Sequence, residues 1–255
     1  MRPFYHIGLT EPSGAKFTIL TGDPGRVESI ARRLDSPRFL AQNREYTSWL
    51  GELSGESVLV MSTGMGGPST AIAVEELYRA GVRTFLRLGT CGGMAEQVLG
   101  GDVVIATGAV RMEGTTREYV PIEFPAVADL GVTNALVQAA ESLGAAWHAG
   151  VVQSKDSFYG QHSPERMPAG RELAEKWDAW IKAGCLASEM ETAALFIVCQ
   201  VLGARAGCAL SVLWNQEREK KGLENPMAEG MEKVAEVVVE AVRRLIKTSQ
   251  KEKRK

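Results

Sequence analysis

Three times before Met94 an apolar run breaks at a cluster of glycines. Phe17-Thr18-Ile19-Leu20 runs into Thr21-Gly22-Asp23-Pro24-Gly25-Arg26. Residues 57–62 run into Thr63-Gly64-Met65-Gly66-Gly67-Pro68-Ser69, and residues 84–88 into Gly89-Thr90-Cys91-Gly92-Gly93. Short apolar runs bounded by turn signals read as buried strands. Helical patterns follow the first two turns, over residues 26–34 and 69–79. Repeated strand–turn–helix units predict an α/β sheet covered by helices on both faces. The glycine turns then lie at strand carboxyl ends, where such sheets bind ligands.

The remaining pattern extends the same theme. Residues 46–53 end at Ser54-Gly55-Glu56, a hairpin turn, and further strands are predicted over 102–110, 149–153 and 209–214. Helices are predicted over 130–143, 173–183, 190–202 and 227–246. No repeat or composition shift marks a boundary, so residues 1–255 are read as one domain. With 45% hydrophobic residues the chain can bury a core, which excludes disorder. A net charge of -2 argues against a nucleic-acid surface, and the basic run at residues 251–255 reads as a solvated end. Four cysteines without a CxxC pair, and three histidines, speak against a zinc site and for reduced thiols in the cytoplasm. There is no signal-peptide pattern at the start, and no run approaches the roughly 20 apolar residues of a membrane span.

The turns carry more than geometry. Glycine lets backbone approach a ligand, and N–H groups at a helix start attract anions. Arg26 and Arg87 add positive charge. Arg87 sits inside an apolar run, Phe85-Leu86-Arg87-Leu88, so it needs an anionic partner. A structural carboxylate and a free phosphate both satisfy that need. A dinucleotide site is disfavoured: Ser69 stands at the third glycine position after Gly64-Met65-Gly66, and the expected acidic residue is absent. No Walker lysine motif occurs.

Ser188-Glu189-Met190-Glu191 has two readings. As Ser-x-x-Glu it is a capping box that opens a helix. As a carboxylate pair, Glu189 and Glu191 can accept hydrogen bonds from a cis-diol and favour a cationic sugar electrostatically.

Taken together, Gly22-Asp23-Pro24-Gly25-Arg26, Asn43-Arg44-Glu45-Tyr46, residues 62–69 and 87–92, Glu123-Phe124-Pro125-Ala126-Val127, Asp156-Ser157-Phe158-Tyr159 and Glu189-Met190-Glu191 resemble the hexameric-type nucleoside phosphorylases. The resemblance runs from about His6 to the last helix. It implies a three-layer α/β/α fold with a central mixed, partly barrel-like sheet. It implies phosphorolysis of a nucleoside, with phosphate as co-substrate and no other cofactor. Gly22, Arg26, Arg87 and Thr90 match phosphate binders, and Arg44 an arginine lent to a neighbouring subunit's site. His6 matches a histidine that crosses the same interface to the ribose. Glu189, Met190 and Glu191 match the ribose segment. Phe158 and Gln161 match base contacts, and Glu45 and Ser69 positions that hold a monovalent cation (K+) in some members. A homo-oligomer follows, a hexamer built from dimers. Uridine-cleaving members carry an arginine two positions after the glutamine and another after Asn215; here Ser163 and Gln216 stand there. His162 becomes the candidate donor to the leaving base, with Lys155 second and Arg166 able to fold over the base. Purine-cleaving members carry an aspartate in the late strand turn. Ser211-Val212-Leu213-Trp214-Asn215-Gln216 has none, and Leu213 and Trp214 offer an apolar wall. The expected reaction is uridine + phosphate ⇌ uracil + ribose 1-phosphate. A purine nucleoside phosphorylase, a nucleoside hydrolase and a non-catalytic nucleoside-binding protein are the alternatives.

Overall fold

A computed structural model describes residues 3–10 and 14–252; the end of the basic tail, residues 253–255, lies outside them, as do Met1 and Arg2. In chain order the elements are β1 (Phe17–Thr21), α1 (Val27–Ala31), β2 (Asp35–Asn43), β3 (Tyr46–Leu53), β4 (Glu56–Ser62), α2 (Gly67–Arg79), β5 (Thr84–Gly93), β6 (Val103–Met112), β7 (Ala126–Val127), α3 (Leu130–Ser142), β8 (Trp147–Lys155), α4 (Phe158–His162), α5 (Gly170–Lys182), β9 (Ala187–Glu189), α6 (Thr192–Leu202), β10 (Arg205–Asn215), α7 (Gln216–Lys220) and α8 (Glu232–Glu252).

The apolar runs do become sheet. β5, β10, β6, β8 and β9 pair in that order, and β9 returns to β5, so these strands close on themselves. From β5 the sheet continues outward through β1, β4, β3 and β2. β1 pairs parallel with β4 and β5, whereas β3 is antiparallel to both its neighbours. The expected mixed, partly barrel-like sheet is therefore present. Helices cover both faces. On one side Val74 and Leu77 of α2 meet Phe196 and Val198 of α6. On the other, Ile30 of α1, Leu136 of α3 and Val238 and Val242 of α8 form a second core. Each such fully buried side chain stabilises the fold by about 1.5–3 kcal/mol.

The hairpin between β3 and β4 forms at Ser54 and Gly55, with φ of 51° and 79°. Positive φ at both central residues is the twist that matches paired strands, and glycine adopts it without strain. Two expectations need correction. The helix predicted over 26–34 ends at Ala31, and the chain enters β2, which was not predicted. β2 lies at the sheet's edge, carries Pro37 and is largely exposed, so it lacks the apolar alternation that marks a half-buried strand. The last helix begins at Glu232 rather than residue 227. The segment before it is strapped to the end of β10 instead: Ala228 N–H donates to Leu213 O, and Asn225 bonds the backbone of Asn215 in both directions.

Candidate active site

The carboxyl ends of β1, β5, β8 and β10, with β9 and the loops that follow β4 and β9, open on one cavity of about 640 Å3. Gly22, Arg26, Gly64, Arg87, Thr90, Glu189, Met190 and Glu191 line it, together with Lys155, Phe158, Gln161, His162, Leu213 and Trp214. All three glycine clusters thus reach one site, but the third is not a turn: Gly89 to Gly93 continue β5, paired with β10 and β9. A Cβ at Gly22 would meet only Gly64 O, at 3.4 Å, so the fold does not require glycine there. What glycine provides at that position is bare backbone facing the cavity.

Arg87 is buried at the floor. Its Nε donates to Glu189 at 3.2 Å and its Nη2 donates to Glu191. The carboxylate partner anticipated for this arginine is thus present twice. Its Nη1 is also buried and has no partner among the described residues, so the two carboxylates do not use up the guanidinium's donors. Glu189 accepts from Ser154 Oγ at 2.5 Å and from the N–H groups of Glu191 and Thr192 at 2.9 and 3.0 Å. Those N–H groups open α6, whose positive end favours a carboxylate. Glu191 accepts from Gly66 N–H at 2.6 Å. Burial pushes the Glu191 carboxyl above the usual carboxylate range, against the pull of Arg87. The second glycine turn therefore serves a carboxylate. The capping-box reading fails: Ser188 lies in β9, Glu191 makes no capping bond, and Glu189 caps α6.

The opposite wall is aromatic. The His162 ring lies 4.3 Å from Phe158 and 5.5 Å from Trp214, tilted 41° and 34° to them. Burial, then Lys155, holds the His162 imidazole below the usual histidine range. Gln161 is gripped by Ser188 Oγ at 2.7 Å and Gln216 Oε1 at 3.1 Å. Lys155, at the end of β8, is 4% exposed, and burial takes its pKa down to about 8. A second cavity of about 390 Å3 adjoins this wall, bordered by Lys155, Gln161 and His162 on one side and Trp177 and Trp180 of α5 on the other.

Four predicted residues lie off the cavity wall. His6 Nδ1 and Glu76 Oε1 are 2.8 Å apart, and Asn43 Nδ2 donates to His6 O at 2.7 Å. The exposed Arg44 guanidinium stands over the Tyr5 ring, 5.8 Å from its centroid, beside His6. Ser69 comes up against Gly64 together with Glu45, which does line the cavity. Arg166 stands over Tyr159, not over the cavity. Sequence reasoning missed Ser154 and Gln153, polar residues near a strand end that resemble ordinary β-positions, and took Ser188 for a helix cap. Asn215 is fully buried, donates to Ala95 O and Val98 O, and caps α7 with its Oδ1. It is therefore spent on structure.

Residues 16–249 match the Phosphorylase superfamily. The chain is 52% identical to a uridine phosphorylase of Treponema pallidum, over 95% of this chain and 94% of that one. It is 43% identical to the uridine phosphorylase of Escherichia coli, over 95% and 98%. A guanosine phosphorylase of Halorubrum lacusprofundi is 42% identical over 81% of each chain.

Proposed function

The chain belongs to the phosphorylase superfamily, and we propose from this site that it is a uridine phosphorylase, a pentosyltransferase that converts uridine and phosphate reversibly to uracil and ribose 1-phosphate. The observation that carries the reading is the buried Arg87–Glu189–Glu191 cluster, set between bare glycine turns and an aromatic wall in a single cavity. Phosphate binds through the backbone at Gly22, through Thr90 and through Arg26 and Arg87, with Arg87 Nη1 as the donor in waiting. Glu189, Met190 and Glu191 hold the ribose, the carboxylates accepting its hydroxyls. As the glycosidic bond lengthens, the sugar gains positive charge, and Glu191, Glu189 and the phosphate dianion favour it. Phe158, His162 and Trp214 sandwich or flank the base, with Gln161 and Lys155 at its edge. The leaving base takes the bond's electron pair, so no protein nucleophile is needed.

The pyrimidine preference rests on the apolar Leu213 and Trp214 and on Asn215 being unavailable to the base. His6 and Arg44 form one patch outside the cavity, which supports their serving a second copy's site in a homo-oligomer, a hexamer of dimers. Glu45 and Ser69, adjacent at Gly64, are the pair that would hold a K+ ion. Four unpaired, buried cysteines agree with a cytoplasmic setting. Incubation with uridine at saturating phosphate tests the reading: uracil should form, and only when phosphate is present. Faster turnover of inosine or guanosine than of uridine would place the chain with the purine enzymes instead.

A further inference from the structure

The cavity wall carries three cations. Arg26 lies 3.5 Å from Asp23, and Arg87 lies against Glu189 and Glu191. Lys155 has no carboxylate within ion-pair distance among the described residues, although it is the most aromatic-flanked of the three, 5.9 Å from the Phe158 centroid. A buried ammonium without a counter-ion is costly and calls for an anion. Its only hydrogen bond among the described residues goes to Ser188 Oγ, at 2.6 Å, which leaves two of its three N–H donors unspent. Ser188 Oγ in turn lies 2.5 Å from Gln153 Oε1 and 2.7 Å from Gln161 Oε1. A hydroxyl has one hydrogen. With Lys155 donating to it, Ser188 can donate to only one of the two carbonyls. If Gln153, 1% exposed, takes that hydrogen, the Gln161 carbonyl is left for a donor from the ligand.

We propose that Gln153 and Ser188 position the Lys155 ammonium, and that this ammonium, rather than His162, neutralises the departing uracil. The inference rests on the reading given above. A phosphate oxygen forms its bond to C1′ while the C1′–N1 bond breaks, and that bond's electron pair leaves with uracil, spread over N1 and the ring oxygens. Lys155 donates a hydrogen bond to that charge and passes its proton to uracil. The proton that monoprotonated phosphate loses on becoming the sugar phosphate dianion restores the ammonium, so the step balances. Gln161 accepts the imide N–H of the base. His162, its ring tilted against Phe158 and Trp214, is a packing surface for the base. The charged and titratable groups facing Lys155 are Glu189, Glu191 and Cys91, with His162 on α4.

Leaving-group dependence tests this. Fluorine at C5 makes uracil a better leaving group that needs less help. Lys155→Met should lower kcat about 100-fold on uridine but only about tenfold on 5-fluorouridine, within the range of acid catalysis. Ser188→Ala should shift both in the same direction by less. The kcat/KM of the unaltered protein for uridine should fall as pH rises past about 8, where the free Lys155 loses its proton, and this limb should vanish in Lys155→Met. His162→Asn should slow both substrates equally. Equal losses on both substrates in Lys155→Met, or an alkaline limb that survives it, would overturn the proposal alone. A protein inert toward uridine would overturn the underlying reading with it. If Lys155→Met does not fold, Ser188→Ala and the alkaline limb decide.

Discussion

Replacing Arg87 with methionine isolates the energetics of the site's floor. The side chain is 5% exposed, and methionine fills its stem while removing both ionic bonds. The two carboxylates are not left equal. Glu189 keeps the Ser154 hydroxyl and the N–H groups of Glu191 and Thr192. Glu191 keeps only the Gly66 N–H. The uncompensated charge therefore falls on Glu191, whose carboxyl burial already holds above the usual range; losing the guanidinium raises it further. Breaking a buried pair in this way costs about 3–5 kcal/mol. At roughly 2–4 °C per kcal/mol for a chain of this size, Tm should fall by about 6–20 °C near neutral pH.

The pH dependence has a definite sign. A carboxyl whose folded pKa exceeds its unfolded one makes the folded state bind more protons. Its penalty is absent below the unfolded value and is reached in full once pH passes the folded value. The Tm deficit of Arg87→Met should therefore be smaller at about pH 5 than at about pH 8. Adding Glu191→Leu removes the orphaned charge and should recover a good part of the loss, because apolar replacement of a buried ion pair is often neutral. Melting curves of the three proteins at both pH values suffice. A deficit independent of pH, or a double variant less stable than Arg87→Met, would refute the reasoning.

Other substitutions separate packing from binding. Gly22→Ala meets only Gly64 O at 3.4 Å, so Tm should hold while KM for phosphate rises several-fold; Gly207→Ala, whose Cβ would collide with Val132 of α3, should instead lower Tm with no selective effect on phosphate. Glu76→Ala strands the N–H groups of His6 and Ile7 and the His6 ring, which all end on that carboxylate. It should cost about 1–3 kcal/mol in stability, read by denaturant unfolding, and raise KM for uridine if His6 serves a partner's site. Sedimentation should show an oligomer, and Arg44→Ala should raise KM for phosphate without dissociating it.

Much of this was legible in the sequence because glycine turns and apolar runs are local signals. Phe17 to Leu20 could only be buried strand, and Arg87 among Phe85, Leu86 and Leu88 could only be buried with an anion. β2 was not legible, since an edge strand needs no apolar face and Asp35, Pro37 and Arg38 display none. Nor was the role of Ser188. Its neighbours Gln153, Lys155 and Gln161 are set by the pairing of β8 with β9 and by α4, and no spacing along the chain encodes that. Gly66 shows the same limit: its N–H meets a carboxylate 125 positions away.

The cavity draws its two ends from different kinds of matter. Bare backbone at Gly22 and a guanidinium locked by two carboxylates form one end; a side chain at Gly22 covers the backbone that faces the cavity, and loss of the guanidinium strands two buried carboxylates. Side chains from β8, α4 and β10 form the other, where the partly exposed Gln161, His162 and Trp214 can be exchanged without moving a strand. A lineage, or a laboratory, that wanted a new nucleobase would thus have one half of the pocket open to variation and the other closed to it, with the same phosphate chemistry inherited throughout.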